Sequence, residues 1–180
     1  KGDLEAAIDS YKQALKIKPD YAEAYSNMGN ALQDKGDLEA AIDSYKQALS
    51  IKPNFAEAYY NMGNALNDKG DLEAAIDSYK NAIKIKPDFA EAYNNMGNAL
   101  RDQGDLEAAI DSYKQALSIK PDYAEAYNNM GNALEELGRL DGAETSYAQA
   151  IALEPDLESA AQNMVKLPVG QLDLKILALL

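Results

Sequence analysis

The sequence predicts an all-α protein made of stacked helix pairs, and three observations lead to this prediction. Prolines recur every 34 residues, at Pro19, Pro53, Pro87, Pro121 and Pro155. The segments between them are nearly identical, and each holds two stretches of helical periodicity separated by a glycine. A fixed period of this length indicates supersecondary units that bury their apolar faces by stacking on their neighbours.

The period also predicts how the chain is organised. Residues 1–21 hold only the second helix of a repeat. Four complete repeats follow, at 22–55, 56–89, 90–123 and 124–157. Residues 158–180 begin like a further first helix, which Pro168 and Gly170 interrupt before an apolar tail. We interpret the tail as a cap on the last repeat. The alternatives are the start of a missing region and a segment that docks on a neighbouring molecule.

Local signals place the helix ends within each repeat. In 22–55 we expect one helix from Ala22 to about Lys35 and a second from Leu38 to about Ile51. Gly36 ends the first helix in the left-handed conformation, and Asp37 caps the second. Each first helix is also expected to start with a capping box, in which an Asp or Asn caps and a Glu three residues later reaches back, at Asp20/Glu23, Asn54/Glu57, Asp88/Glu91 and Asp122/Glu125.

The composition excludes several kinds of partner and chemistry. Thirty acidic and 17 basic residues give a net charge of −13, the opposite of what binding to nucleic acid or an anionic membrane surface requires. The sequence has no Cys and no His, which removes disulfides, imidazole bases and the usual zinc ligands. No apolar run reaches the length of a membrane helix. We therefore predict a cytoplasmic protein that binds neither nucleic acid nor membrane.

The repeat carries a set of residues that resembles the signature of the tetratricopeptide repeat, a family with the same repeat length, at Tyr25, Gly29, Leu32, Ala41, Tyr45, Ala48 and Pro53. Tyr25 replaces the Trp that is common in that family, and Leu32 stands where an aromatic residue is more usual. The resemblance implies a right-handed superhelical solenoid of helix-turn-helix repeats. In such a solenoid the first helix of each pair lines a concave groove.

Two rows of asparagines on the first helices are candidates for a peptide-binding site. The first row is Asn27, Asn61, Asn95, Asn129 and Asn163, and the second row is Asn30, Asn64, Asn98 and Asn132. They lie opposite the apolar positions, so we expect them at the groove or its edge. An amide carries both a donor and an acceptor, which matches the backbone of an extended peptide. Alternatively, the amides bond between adjacent repeats or face water.

The run from Ala22 to Leu32 is also similar to repeats in the arm of the O-GlcNAc transferases. In that family, the asparagine before the hydrophobic-glycine pair lines the superhelix and holds peptide backbone. The resemblance assigns this role to the first row, at Asn27, Asn61, Asn95 and Asn129. Asn163 has the same place, although Val165 replaces the glycine there.

Two variable positions are predicted to face the groove and to set side-chain preference, with surface drift as the alternative. They hold Ser26, Tyr60, Asn94 and Asn128 in one case, and Gln33, Asn67, Arg101 and Glu135 in the other. Of these residues, Tyr60 and Arg101 are predicted site residues. Acidic residues near the ends of the first helices predict a negative rim that favours neutral or basic ligands, at Asp34, Asp68, Asp102 and Glu136.

The sequence gives no pattern typical of catalysis. Each carboxylate belongs to a cap, a turn or a solvated face, and the glycines form no phosphate loop. We expect no enzymatic activity, no cofactor and no metal. The predicted function is a protein–protein interaction module that binds an extended peptide in the groove. The alternatives are a substrate-recruiting arm of a larger glycosyltransferase-like enzyme, and a scaffold that forms homo-oligomers through its chain ends.

Overall fold

The computed structural model describes residues 2–167, and the chain divides into two compact units at Pro87 and Asp88. Every regular element among these residues is an α-helix, which confirms the all-α prediction. The predicted apolar tail, together with Pro168 and Gly170, lies outside the described residues.

The first unit contains five helices: α1 (Gly2–Ile17), α2 (Ala22–Lys35), α3 (Leu38–Ile51), α4 (Ala56–Lys69) and α5 (Leu72–Ile85). Helices α2 and α3 form one hairpin, and α4 and α5 form the next. Helix α1 packs on α2, as the second helix of an incomplete repeat would. Because α3 packs on α4 and α2 touches α4, each hairpin closes part of the core of its neighbour.

The second unit repeats this arrangement with α6 (Ala90–Gln103), α7 (Leu106–Ile119), α8 (Ala124–Glu136), α9 (Leu140–Leu153) and α10 (Glu158–Lys166). Helices α6 and α7 form one hairpin, α8 and α9 form the second, and α7 packs on α8. Helix α10 has the register of a first helix and packs on α9 and α8. It covers a core cluster that includes Tyr147, Ala150 and Met164.

The turn inside each hairpin agrees with its prediction. Gly36 has φ of 88°, a left-handed conformation that suits glycine because it has no Cβ. The backbone N–H of Asp37 donates to the carbonyl oxygen of Leu32 at 2.9 Å. The Asp37 side chain then accepts from the backbone N–H of Ala40 at 3.3 Å and caps the second helix. The same capping bond is made by Asp71 and Asp105 in other hairpins.

The predicted capping boxes at the first helices are wrong. Among the described helices, the N-cap positions of the first helices in the four complete repeats are aromatic and make no side-chain cap, at Tyr21, Phe55, Phe89 and Tyr123. Asp20 lies one residue before the N-cap residue Tyr21, and Glu23 instead accepts from Lys52 Nζ at 2.8 Å. This bond holds the pKa of Glu23 below its usual value. Lys52 also lies over the Phe55 ring, 4.3 Å from its centroid.

A buried tyrosine ring packs on a helix glycine in each hairpin. Tyr45 is fully buried, and a Cβ placed on Gly29 would lie 2.6 Å from its Cε1 atom. Glycine in a helix interior costs about 1 kcal/mol relative to alanine, so the packing explains why it is present there. Tyr79, Tyr113 and Tyr147 lie in the same way on Gly63, Gly97 and Gly131.

We predict that Gly131→Ala destabilises the protein by about 1–3 kcal/mol, because its new Cβ would lie 2.5 Å from Tyr147 Cε1. Gly142→Ala is the matched control in the same unit, since its Cβ would meet only the end of the Leu134 side chain, at 3.3 Å. Helix propensity favours alanine there by up to about 1 kcal/mol. Urea unfolding followed by circular dichroism measures both variants. Equal effects of the two variants would contradict the ring-on-glycine packing.

Candidate functional site

The asparagines of adjacent repeats lie within hydrogen-bonding distance of one another in each unit. The first helices that carry them touch, α2 with α4 in the first unit and α6 with α8 and α8 with α10 in the second. Asn61 Nδ2 donates to Asn30 Oδ1 at 3.0 Å, and Asn163 Nδ2 donates to Asn132 Oδ1 at 2.8 Å. We call the side of the first helices that carries the two rows the asparagine face.

Hydrogen bonds from the buried tyrosines orient the amides of the second row. Tyr45 Oη donates to Asn30 Oδ1 at 2.8 Å. The same bond recurs at 2.7–2.9 Å in the other hairpins, at Tyr79–Asn64, Tyr113–Asn98 and Tyr147–Asn132. Burial raises the pKa of all four tyrosines, so their hydroxyls stay protonated donors. Each second-row amide therefore has its oxygen turned toward the core.

The asparagines differ in how much of their hydrogen-bonding capacity is used inside the protein. Some of the hydrogen-bonding capacity is used between repeats, as in the alternative reading. Within residues 2–167, however, the amide nitrogens of Asn30, Asn98 and Asn132 donate no hydrogen bond. The oxygens of Asn61 and Asn129 accept none there either, although their nitrogens donate to the neighbouring repeat. At these positions, the second row has amide N–H groups and the first row has amide oxygens that the described residues leave without a bond.

One variable position does not face a groove as predicted. Ser26, Asn94 and Asn128 are buried, and Asn94 is completely inaccessible. Asn129 Nδ2 donates to Asn94 Oδ1 at 3.1 Å, because the next first helix packs directly over this position. Tyr60 occupies the same position in α4 and has a much larger side chain than the other three residues. It is half-buried, and its ring centroid lies 6.1 Å from that of Tyr79.

The second variable position lies beside the buried tyrosine hydroxyl. Gln33 Oε1 accepts from Tyr45 at 3.1 Å, and Gln33 Nε2 donates to Asp68 at 2.9 Å. Glu135 accepts from the Tyr147 hydroxyl at 2.7 Å, which helps to raise the pKa of that tyrosine after the larger effect of burial. In the α2–α3 and α8–α9 hairpins, the side chain at this position therefore links the core hydroxyl to the surface.

Arg101 occupies this position in α6 and makes ion pairs along the rim. Its guanidinium lies 3.2 Å from Asp102 and 3.9 Å from Glu136. The predicted negative rim is therefore partly neutralised in the second unit. In the first unit, no Lys or Arg among the described residues pairs with Asp34 or Asp68, so its rim keeps two negative charges.

An open cavity of about 530 Å³ in the second unit gathers several predicted residues. It is lined by Arg101, Asn132, Glu135, Glu136, Asn163 and Lys166. Lys166 was missed by the sequence reasoning, although it stands 34 residues after Asn132 and continues the second row. Its Nζ donates to Asn163 Oδ1 at 3.4 Å. The 34-residue spacing of the second row, continued from Asn132, leads to this position.

Among residues 2–167, no group of three or more carboxylates is arranged to hold a metal ion. Within the same range, no helix has the length and apolar character needed to cross a membrane.

Sequence models of the TPR repeat match residues 1–36, 29–68, 63–100 and 97–138, and a tetratricopeptide repeat model matches 124–157. The chain belongs to the tetratricopeptide repeat family. The predicted family is thereby confirmed. The more specific similarity of this tetratricopeptide repeat protein to the arm of O-GlcNAc transferases stays a prediction.

Solved structures of other tetratricopeptide repeat proteins share the fold. A crystal structure of MamA is 34% identical with a TM-score of 0.81, over 90% of this chain and 93% of that one. YrrB, described as a TPR protein with an unusual peptide-binding site, is 24% identical with a TM-score of 0.77, over 89% and 83% of the two chains. MamA from Desulfovibrio magneticus RS-1 is 22% identical, with a TM-score of 0.80 and coverage of 87% and 89%. Comparison with curated proteins gives no match.

We predict that the stability of this tetratricopeptide repeat protein falls as the pH rises above about 10, the usual pKa of tyrosine. Burial raises the pKa of Tyr79, so the stability from its neutral form is fully present below the unfolded pKa and is lost as pH rises toward the folded pKa. Tyr79→Phe should make this decline shallower, by up to about 1.4 kcal/mol per pH unit. Urea unfolding between pH 8 and 11.5 measures it.

Tyr21→Phe is the control, because Tyr21 is 40% exposed and outside the core. The difference in pH slope between the two variants isolates the effect of the buried hydroxyl. At neutral pH, Tyr79→Phe should cost about 1 kcal/mol through the lost hydrogen bond to Asn64. An unaltered pH slope in Tyr79→Phe would show that the buried hydroxyl does not control alkaline stability.

Proposed function

We propose that this protein–protein interaction module holds an extended peptide segment of a partner protein on its asparagine face. The observation that supports this proposal most is that the two rows leave opposite groups of their amides without an internal hydrogen bond. The second row has amide nitrogens without an internal acceptor at Asn30, Asn98 and Asn132, and the first row has oxygens without an internal donor at Asn61 and Asn129. An extended backbone alternates carbonyls and N–H groups, so it can use both kinds of site.

The internal hydrogen bonds favour binding as well as stability. Because Tyr45 and Asn61 already fix the Asn30 amide, little side-chain freedom is lost when a ligand binds its nitrogen. Recognition through backbone groups would also make the site tolerant of different ligand sequences. The partner would then be defined by an extended, accessible segment more than by a strict motif.

We propose that Tyr60 and Arg101 add side-chain preference to this backbone recognition. Tyr60 presents a half-buried ring in the first unit, next to Tyr79. Arg101 has 23% of its side chain exposed and lines the cavity of the second unit. The acidic rim at Asp34 and Asp68 favours neutral or basic segments over the first unit, chiefly through the association rate.

We predict that peptides selected from a random display library bind the Asn61→Ala/Asn95→Ala/Asn129→Ala variant at least about tenfold more weakly than the unmodified protein. Each lost neutral hydrogen bond is worth about 0.5–1.5 kcal/mol, so the loss of two contacts within the second unit is already measurable. Fluorescence anisotropy with labelled peptides gives the affinities. Gln47→Ala/Gln115→Ala, at two exposed positions on second helices, is the control.

Asn27→Ala separates ligand binding from repeat packing. Asn27 is exposed and makes no hydrogen bond within the described residues, so its removal disturbs no internal contact. It should weaken peptides that span α2 about threefold to tenfold while leaving the thermal midpoint unchanged. Peptides that bind the triple variant and Asn27→Ala as tightly as the unmodified protein would rule out the amide mechanism.

A second proposal rests on the similarity of the run Ala22–Leu32 to repeats in the arm of O-GlcNAc transferases. In this case the asparagine face would recruit protein substrates for a glycosyltransferase-like enzyme. The two proposals are distinguished by the proteins that the chain captures from a lysate, because recruited substrates would carry glycosylated serine or threonine and general partners would not. Self-association through the chain ends stays a prediction, since residues 168–180 lie outside the described part of the chain.

A further inference from the structure

A second binding surface lies in the first unit, apart from the asparagine face. It is an open pocket of about 430 Å³ between the turn that precedes α4 and the last turn of α5. It is lined by Pro53, Asn54, Tyr59, Asn81, Lys84 and Ile85. We call it the Lys84 pocket. It shares no lining residue with the two asparagine rows.

Three lining residues of the Lys84 pocket depart from the pattern of the repeats. Asn54 stands where the other copies have Asp20, Asp88, Asp122 and Asp156. Asn81 stands where they have Gln13, Gln47, Gln115 and Gln149. Lys84 stands where the other complete repeats have Ser50, Ser118 and Ala152, although the partial repeat also has a lysine there, Lys16. Repeat 56–89 differs from both neighbouring repeats at five positions, and two of them, Asn81 and Lys84, line this pocket together with Asn54 of the preceding repeat.

The differences make the pocket more positively charged and slightly larger than its counterpart. The matched surface in the same unit is formed by Pro19, Asp20, Tyr25, Gln47, Ser50 and Ile51. Relative to it, an aspartate is replaced by a neutral amide and a serine by a lysine, so the formal charge is more positive by two. Asn81 is also one methylene shorter than glutamine, which leaves more room for a ligand.

The cation of this pocket is unpaired within residues 2–167. Acidic residues outnumber basic ones by 30 to 17, yet no carboxylate of the described chain lies within 4.0 Å of Lys84 Nζ. Asn81 donates one N–H to the carbonyl oxygen of Asp77 at 3.0 Å and so has a second N–H for a ligand. Asn54 and Lys84 are exposed, and Tyr59 is half-buried.

We propose that the Lys84 pocket binds a carboxylate side chain in an acidic segment of a partner polypeptide. The Lys84 ammonium supplies the charge, and the amides of Asn54 and Asn81 supply neutral donors for the carboxylate oxygens. Pro53 and Ile85 provide an apolar wall against which the stem of a glutamate packs. This site would hold an acidic part of a partner, whereas the first-unit rim favours neutral or basic segments, so the two are independent.

The test uses the whole ¹⁵N-labelled chain and titration with an acetylated, amidated tetraglutamate peptide, observed by NMR. Tetraglutamate should shift the side-chain amide signals of Asn54 and Asn81, and the shifts should weaken as salt is raised, because screening weakens an exposed ion pair. Tetraglutamine of the same length should leave these signals in place. Equal shifts with tetraglutamine would overturn the proposal. So would saturation of the signals by inorganic phosphate with no response to tetraglutamate.

Two variants use the repeats as their own controls. Asn54→Asp/Lys84→Ser restores the residues found at Asp20 and Ser50, so folding is retained, and it should weaken tetraglutamate binding about tenfold through two changes of charge. The reciprocal variant, Asp20→Asn/Gln47→Asn/Ser50→Lys, should create a second site with new shifts at those positions. Unchanged affinity in the first variant, or no new site in the second, would refute the assignment.

Discussion

The packing of a buried tyrosine ring on a helix glycine is the contact on which the rest of the structure depends. The Tyr45 ring fills the space that a Cβ on Gly29 would take, so the two helices of a hairpin approach closely. The same residue places its hydroxyl 2.8 Å from Asn30 Oδ1, one position along the helix from that glycine. Core packing and the orientation of the surface amide are therefore set by one side chain. A change that displaces the ring must also release the amide.

The helices themselves follow closely from the sequence. The 34-residue period, Gly36 and Asp37 predict the hairpin and its turn correctly, since left-handed backbone and side-chain capping are local properties of a few residues. The start of the first helix was predicted wrongly. Asp20 and Glu23 have the spacing of a capping box, but the helix begins one residue later than that box requires. Lys52 binds Glu23 and lies over Phe55, and a pattern within one helix cannot reveal this.

The candidate site could be predicted only to the level of a helix face. Helical periodicity places Asn30 and Asn61 on the same side of their helices, but it does not show which atom of each amide is already bonded. That depends on Tyr45 and on contact between first helices. The burial of Asn94 was missed for the same reason, because the projection of a single helix omits the neighbour that covers it.

Near-identical repeats make the remaining differences informative when they are sorted by burial. The position of Ser26, Asn94 and Asn128 lies under the next helix, so size and hydrogen bonding restrict what can stand there. Asn54 and Lys84 are exposed and meet no such restriction. Variation at the first position reports on packing between repeats. Variation at the exposed positions of Asn54 and Lys84 changes the stability of the fold little. The more positive charge there is therefore better explained by what this surface binds than by the stability of the repeats.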